Sequence, residues 1–208
     1  MLVACWSPKG GSGTTVVSVL LALLWARASA GGAVLADLTG DVPAALGVPD
    51  AAGPGLLDWW GAAGGVDAVA LGRLEVEVGR SLRLLPCGGS LPGGGGADRA
   101  DMLAALLGAD PRPVVADCGT AGRSPARELA AGAVLSLAVL RPCYLALRRA
   151  LDADIRPSGV VLVTEPGRAL QRRDVEDVLG APVWAELPLD PAVARAEQAF
   201  DQVLGAVA

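Results

Sequence analysis

Leu2-Val3-Ala4-Cys5-Trp6-Ser7-Pro8-Lys9-Gly10-Gly11-Ser12-Gly13-Thr14-Thr15 decides how the rest of this sequence is read. The apolar run Leu2–Trp6 predicts a short buried strand, and residues 7–13 predict a glycine-rich turn. Residues 14–30 have helical length and composition and halt at Gly31-Gly32, a helix-stop signal. Residues 33–36 predict a second buried strand, with Asp37 just past its end. Strand, glycine loop, helix and strand make a βαβ unit. In such a loop the backbone N–H groups can converge on a phosphate, because glycine permits the dihedrals and the close approach. The helix that follows adds its positive end.

Working outward, the same alternation continues. Short helices are expected over residues 55–63 and 66–74, and a strand over Leu82–Leu85. Residues 87–96 read as a glycine-rich surface loop. A helix over 98–107 has Asp98 as its expected N-cap. A strand over 114–116 ends at Asp117, and a helix over 124–131 carries Pro125 in its first turn. Residues 134–140 read as a strand, 143–151 as a helix and 160–164 as a strand. Arg172–Leu179 reads as a helix, 183–187 as a strand and 191–207 as a closing helix. Buried strands alternating with helices predict an α/β fold of three layers, a mostly parallel sheet with helices on both faces. Its 208 residues suit one domain, 1–208. Ligands in such sheets bind beyond the carboxyl ends of the strands. The 7–15 loop, Asp37 and Asp117 all fall there.

Composition narrows the chemistry. Apolar residues make up 52% and charged residues 19%, which argues for a packed core and against disorder. Histidine is absent, so no Ser-His-Asp triad, Cys-His dyad or histidine metal site exists in this chain. Cys5, Cys87, Cys118 and Cys143 have neither zinc-site nor disulfide-framework spacing and read as buried thiols. Leu2–Trp6 is too short and too quickly broken for a secretory signal. The longest apolar run, 16–26, is well short of the ~20 residues that span a bilayer. A cytoplasmic protein is expected. Lys9 is the only lysine; the other sixteen basic residues are arginines. A compact ammonium kept where arginine is otherwise used marks a role that a planar guanidinium does not fill.

The segment Lys9-Gly10-Gly11-Ser12-Gly13-Thr14-Thr15 resembles the deviant Walker A motif of the ParA/MinD family of P-loop ATPases, K-G-G-x-G-K-[ST]. The resemblance extends over nearly the whole chain. It implies that Lys9 is the signature lysine, which reaches across an ATP-sandwich dimer to the partner's phosphates. It implies a phosphate cradle of Gly10, Gly11, Ser12, Gly13 and Thr14, with Thr15 as the hydroxyl on Mg²⁺. The second family lysine is replaced by Thr14. Asp37 matches the first aspartate of the family's D-x-D motif, which by the resemblance is a catalytic and metal-holding residue alongside Thr15 and Asp117, and Thr39 stands where the second aspartate would be. Asp117 resembles the Walker B aspartate that holds magnesium through water. Pro188 and Asp190 resemble the residues that flank the adenine. The threonine at 14 and the run Gly40-Asp41-Val42-Pro43-Ala44-Ala45-Leu46-Gly47 look most like the CpaE/TadZ branch, whose members help to localise pilus machinery.

The resemblance implies an ATP- and Mg²⁺-dependent homodimer that recruits a protein partner and acts as a positioning switch. With Thr14 and Thr39 in place of a lysine and an aspartate, it implies weak or absent hydrolysis. A nucleotide-free scaffold is the alternative. A metabolic P-loop enzyme of the dethiobiotin-synthetase kind is disfavoured, since those enzymes need the lysine missing at 14. Arg141, Arg148 and Arg149, and Arg168, Arg172 and Arg173, form clusters that could meet DNA phosphates, though a solvated helix face is the simpler reading. The tail 197–208 lacks the cationic face of a membrane-gripping helix. Trp59 and Trp60 pack on the sheet or form an exposed partner patch.

Overall fold

The computed structural model describes residues 1–62, 67–79, 81–89 and 97–190. In chain order the elements are β1 (Leu2–Trp6), α1 (Thr14–Ala28), β2 (Ala33–Asp37), α2 (Val42–Leu46), α3 (Leu56–Gly61) and α4 (Ala68–Gly72). There follow β3 (Val76–Glu77), β4 (Leu82–Leu85), α5 (Ala97–Ala109), β5 (Val114–Asp117) and α6 (Ala126–Gly132). The described chain closes with β6 (Leu135–Leu140), α7 (Tyr144–Asp152), β7 (Gly159–Thr164), α8 (Arg172–Leu179) and β8 (Val183–Pro188). The strands form one eight-stranded sheet in the order β3-β4-β2-β5-β1-β6-β7-β8. Every pairing is parallel except β3 with β4, which is antiparallel at one edge. This is the expected α/β fold.

Alternation along each strand divides the core between the two faces of the sheet. Leu2, Ala4 and Trp6 join Val114, Ala116, Leu140 and Leu162 on the face covered by residues of α3 and α5–α8. Val3 and Cys5 join Leu35, Val115, Val139 and Val161 on the face that α1 and Val42 of α2 cover. With so few aromatics, the interior is filled by Leu, Val and Ala. Trp6 is the largest fully buried side chain, and its indole N–H donates to Ser136 Oγ at 3.0 Å, tying β1 to β6. Trp59 and Trp60 are each 5% exposed and belong to the core, so they form no exposed patch.

Several local expectations shift. α1 ends at Ala28, and Ser29 leaves the helix in extended conformation, two residues before the predicted glycine stop. Gly32 instead sets the entry into β2, at φ +76. Asp98 lies inside the first turn of α5 and is not its cap. Asp37 is the last residue of β2, still in register with Asp117. The helices near 56–61 and 68–72 are shorter than predicted because Ala62 and Arg73 already cap them. α2, which Pro43 starts and Gly47 ends at φ +69, and the two-residue β3 were not expected. Both are too short to repeat a period. The predicted helix 191–207, the tail 197–208 and most of the 87–96 loop lie outside the described residues. No helix among the described residues is long and apolar enough to cross a membrane.

Gly32 offers a test of the packing between β2 and β4. A Cβ there would stand 2.2 Å from the Ser81 carbonyl oxygen, and φ is left-handed. The obstacle is backbone, which has no rotamer to change. Gly32→Ala is expected to cost at least about 2 kcal/mol in denaturant unfolding. A loss below about 0.5 kcal/mol would show that the 81–82 turn gives way freely.

Candidate functional site: a glycine cradle over two buried carboxylates

β1, β5 and β2 are neighbours and parallel, so the loops after them meet at the carboxyl ends of the central strands. The loop after β1 is held by its own serines. Lys9 N–H donates to Ser7 Oγ at 3.1 Å, and the hydroxyls of Ser7 and Ser12 donate to the Lys9 carbonyl at 2.5 and 2.7 Å. Ser7 N–H donates to the Gly119 carbonyl at 2.7 Å, which fastens this loop to the one after β5. Gly11 and Gly13 take φ of +75 and +87, conformations that L side chains rarely adopt. Gly13 is the N-cap of α1, with no side-chain cap and no acid in the first turn. The first amides of α1 are therefore left to whatever occupies the cleft, and they favour an anion. Thr14, buried at the helix start, presents a hydroxyl where the family motif has an ammonium.

The cleft itself has a volume of about 380 Å³ between residues 10–16 and Thr39, Asp41, Gly119 and Thr120. Gly10, Gly11, Ser12, Gly13, Thr14 and Thr15 all line it. A small apolar cavity of about 70 Å³ adjoins it, sharing Gly13 and Val16. Leu187, Pro188, Leu189 and Asp190 form its far side, so the fold brings Pro188 and Asp190 to the glycine loop. Lys9 goes elsewhere. It is half-buried and lines a separate cavity of about 130 Å³ with Arg141, Cys143 and Arg168 on the other flank of the loop.

Beneath the cleft, Asp37 and Asp117 are fully buried side by side. Asp37 Oδ1 accepts from Thr39 N–H at 2.9 Å, Gly40 N–H at 2.8 Å and the Thr39 hydroxyl at 3.0 Å. Its Oδ2 accepts from Val42 N–H at 3.3 Å. Asp37 thus fastens the turn that leads into α2. Asp117 Oδ1 accepts from Gly119 N–H at 3.2 Å, and its Oδ2 lies 3.2 Å from the same Thr39 hydroxyl. Burial pushes the Asp117 carboxyl up, against hydrogen bonds from Thr15, Gly119 and Thr39; the neighbouring Asp37 charge raises it further. Thr39 has one proton to give and two carboxylates to give it to. Asp37 has three amides besides, whereas Asp117 has one, from Gly119, together with the Thr15 hydroxyl. A buried carboxylate of that kind, with the Thr15 hydroxyl beside it, suits a hard cation that takes oxygen ligands. Among the described residues no group of three or more acidic or cysteine side chains converges as a protein-only metal cage.

The four thiols are free. Burial pushes Cys5 up to about 12, and Cys87 likewise to about 12, with Asp37, Asp58 and Asp41 adding to the effect on Cys87. Burial also holds Cys118 well above the ordinary thiol range. None of these three is a thiolate nucleophile at neutral pH.

Comparison of the sequence with protein-family models and with curated proteins finds no match. The fold does have solved counterparts. It resembles a ParA family ATPase from Chlorobium tepidum TLS, with a TM-score of 0.71 and 17% identity over 98% of this chain and 92% of that one. It resembles the septum site-determining protein MinD of Pyrococcus horikoshii OT3 complexed with Mg-ADP, at 0.70 and 18% over 94% and 85%. It also resembles a MinC:MinD cell division protein complex from Aquifex aeolicus, at 0.74 and 16% over 98% and 88%. The fold is that of the P-loop ATPases of the ParA/MinD type.

Proposed function

We propose that this chain is an ATP-binding positioning switch of the ParA/MinD kind, with weak or absent hydrolysis. The class serves chromosome or plasmid partitioning, septum placement or pilus localisation. The observation that carries the reading is the uncapped, serine-pinned cradle at 10–15 opening onto a cleft that Thr15 lines, with Asp117 buried beneath it. Gly10, Gly11, Ser12, Gly13, Thr14 and Thr15 hold the phosphates. Pro188 and Asp190 border the base. Thr15 and Asp117 hold Mg²⁺, which when bound screens the charge between the phosphates and the carboxylates. Asp37 acts on the site through the turn it fastens and through Thr39. Lys9 serves a second copy of the chain in an ATP-dependent homodimer, a role that its position in the cavity on the other flank of the loop supports. The MinD bound to Mg-ADP and the MinC:MinD complex support a nucleotide, a magnesium ion and a protein partner. The class and the absence of a spanning helix among the described residues point to the cytoplasm.

Calorimetric titration with ATP, ADP and GTP in the presence of magnesium is the deciding experiment. ATP is expected to bind saturably, about 10- to 150-fold more weakly than to relatives with a lysine at 14, since one charge-assisted contact is missing. Phosphoryl transfer needs charge stabilisation and a placed water, and Thr14 and Thr39 each remove one group for those tasks. Turnover should therefore stay far below about one per second, a common lower bound for enzymes. No heat and no thermal shift at saturating ATP would leave the nucleotide-free scaffold.

A further inference from the structure

Among the described residues, no cation lines the phosphate cleft. Its polar wall is made of serine, threonine and backbone amides, its one charged side chain is Asp41, and two more carboxylates lie beneath it. Thr14 supplies no charge, and Lys9 lines a different cavity. A triphosphate with its magnesium still carries net negative charge, so the amides alone meet a ligand that an arginine or lysine normally helps to hold.

Among the described residues, Arg123 is the cation that lines the cavity next to this cleft. A second cavity of about 300 Å³ adjoins the phosphate cleft, sharing Thr39 and Thr120, and Arg123 lines it. The segment that carries Arg123 is braced against the cradle. The Gly119 carbonyl receives Ser7 N–H at 2.7 Å, Gly119 N–H bonds Asp117, and Ala121 N–H donates to the Cys118 carbonyl at 2.8 Å. Ala121 turns the chain at φ +48, a conformation uncommon outside glycine and asparagine. Beyond this braced turn Arg123 is exposed, and among the described residues no hydrogen bond or ion pair engages its guanidinium. The other arginines near the loop are committed. Arg141 is paired with Glu165 and donates to the Gly11 carbonyl at 3.4 Å, and Arg168 Nε donates to Glu165 at 2.7 Å. An uncommitted planar fork beside a cation-free anion cleft matches phosphate geometry, with two donors to one group.

We propose that Arg123 is a phosphate-binding residue that supplies, from the loop after β5, the positive charge that position 14 lacks. This rests on the nucleotide reading of the cleft. The charge enters from the Thr39–Thr120 end of the cleft, opposite the base-side cavity, so Arg123 addresses the terminal phosphate. ATP then feels its loss more than ADP does.

The test is titration of Mg–ATP and Mg–ADP into the wild type, Arg123→Ala, Arg149→Ala as an exposed control, and the double variant Arg123→Ala/Thr14→Lys. Melting temperature is measured in parallel. Arg123→Ala is expected to lose about 10-fold or more in ATP affinity, with a smaller loss for ADP and an unchanged melting temperature. Arg149→Ala binds as the wild type does. Thr14→Lys restores ATP binding in the absence of Arg123, because the two positions deliver one charge from two sides. If Arg123→Ala binds ATP within about twofold of the wild type, Arg123 is a solvated loop charge and the proposal is overturned. It is overturned equally if ATP and ADP are lost alike and the lysine restores neither, since the residue then shapes the loop and does not hold phosphate. If the wild type itself shows no saturable binding, the nucleotide reading falls and this proposal falls with it.

Discussion

Lys9→Ala and Lys9→Arg should both lose ATP-dependent dimerisation, with little change in the stability of the monomer. The loop is held by the backbone of Lys9, whose N–H and carbonyl bond Ser7 and Ser12, and either substitution leaves those bonds in place. Stability should move by no more than about 0.5 kcal/mol. The dimer is another matter. If the Lys9 ammonium meets the partner's phosphates in a water-poor interface, its loss costs about 3–5 kcal/mol, or more than about 100-fold in the dimer constant. Lys9→Arg separates charge from shape. Arg141 and Arg168 already stand in the cavity of about 130 Å³ that Lys9 lines with Gly10 and Gly11. A broader guanidinium there must displace two others or the glycine backbone. Sedimentation of all three proteins with a non-hydrolysable ATP analogue measures the effect. Equal dimerisation of all three, or no response to nucleotide in any, would defeat the sandwich mechanism and leave Lys9 a surface charge.

Asp117→Asn is expected to separate stability from binding. The asparagine keeps an acceptor for Gly119 N–H and offers its amide to the Thr39 hydroxyl, which can accept. It removes a buried negative charge from beside Asp37, the charge that burial already disfavours. The ligand-free protein, measured with a chelator present, should melt no lower than the wild type. Mg-dependent ATP binding should fall by at least about 100-fold, because removing one charged partner of a buried contact costs about 3–5 kcal/mol. Magnesium should no longer improve ATP affinity. A variant that binds Mg–ATP within about threefold of the wild type would remove Asp117 from the metal site.

What could be read before the fold was known follows local rules. Leu2–Trp6, Leu82–Leu85 and Arg172–Leu179 lie where the sequence places them, because apolar runs and helical periods depend on neighbours along the chain. Asp98 was misassigned because an aspartate in the first turn and an aspartate at the cap satisfy the same positive helix end. α2 and β3 escaped because five and two residues do not repeat a period, so no pattern shows. Arg123 had no signal at all. It belongs to no motif, and its interest lies only in the cavity that it shares an edge with.

The residues alone settle the strand–loop–helix unit, the apolar strands of a parallel sheet, and the presence of a single lysine in the loop. Each is settled by chain-local sterics or by composition. Only the tertiary structure decided which cavity that lysine faces, and that one threonine serves Asp37 and Asp117, two carboxylates that lie in register on neighbouring strands although 80 residues separate them in sequence. Only the placement of β8 beside β7 carried Pro188 and Asp190 to the loop at Gly13. Strand order and register come from how the two apolar faces pack against their helices, and no window of sequence contains both partners of such a contact.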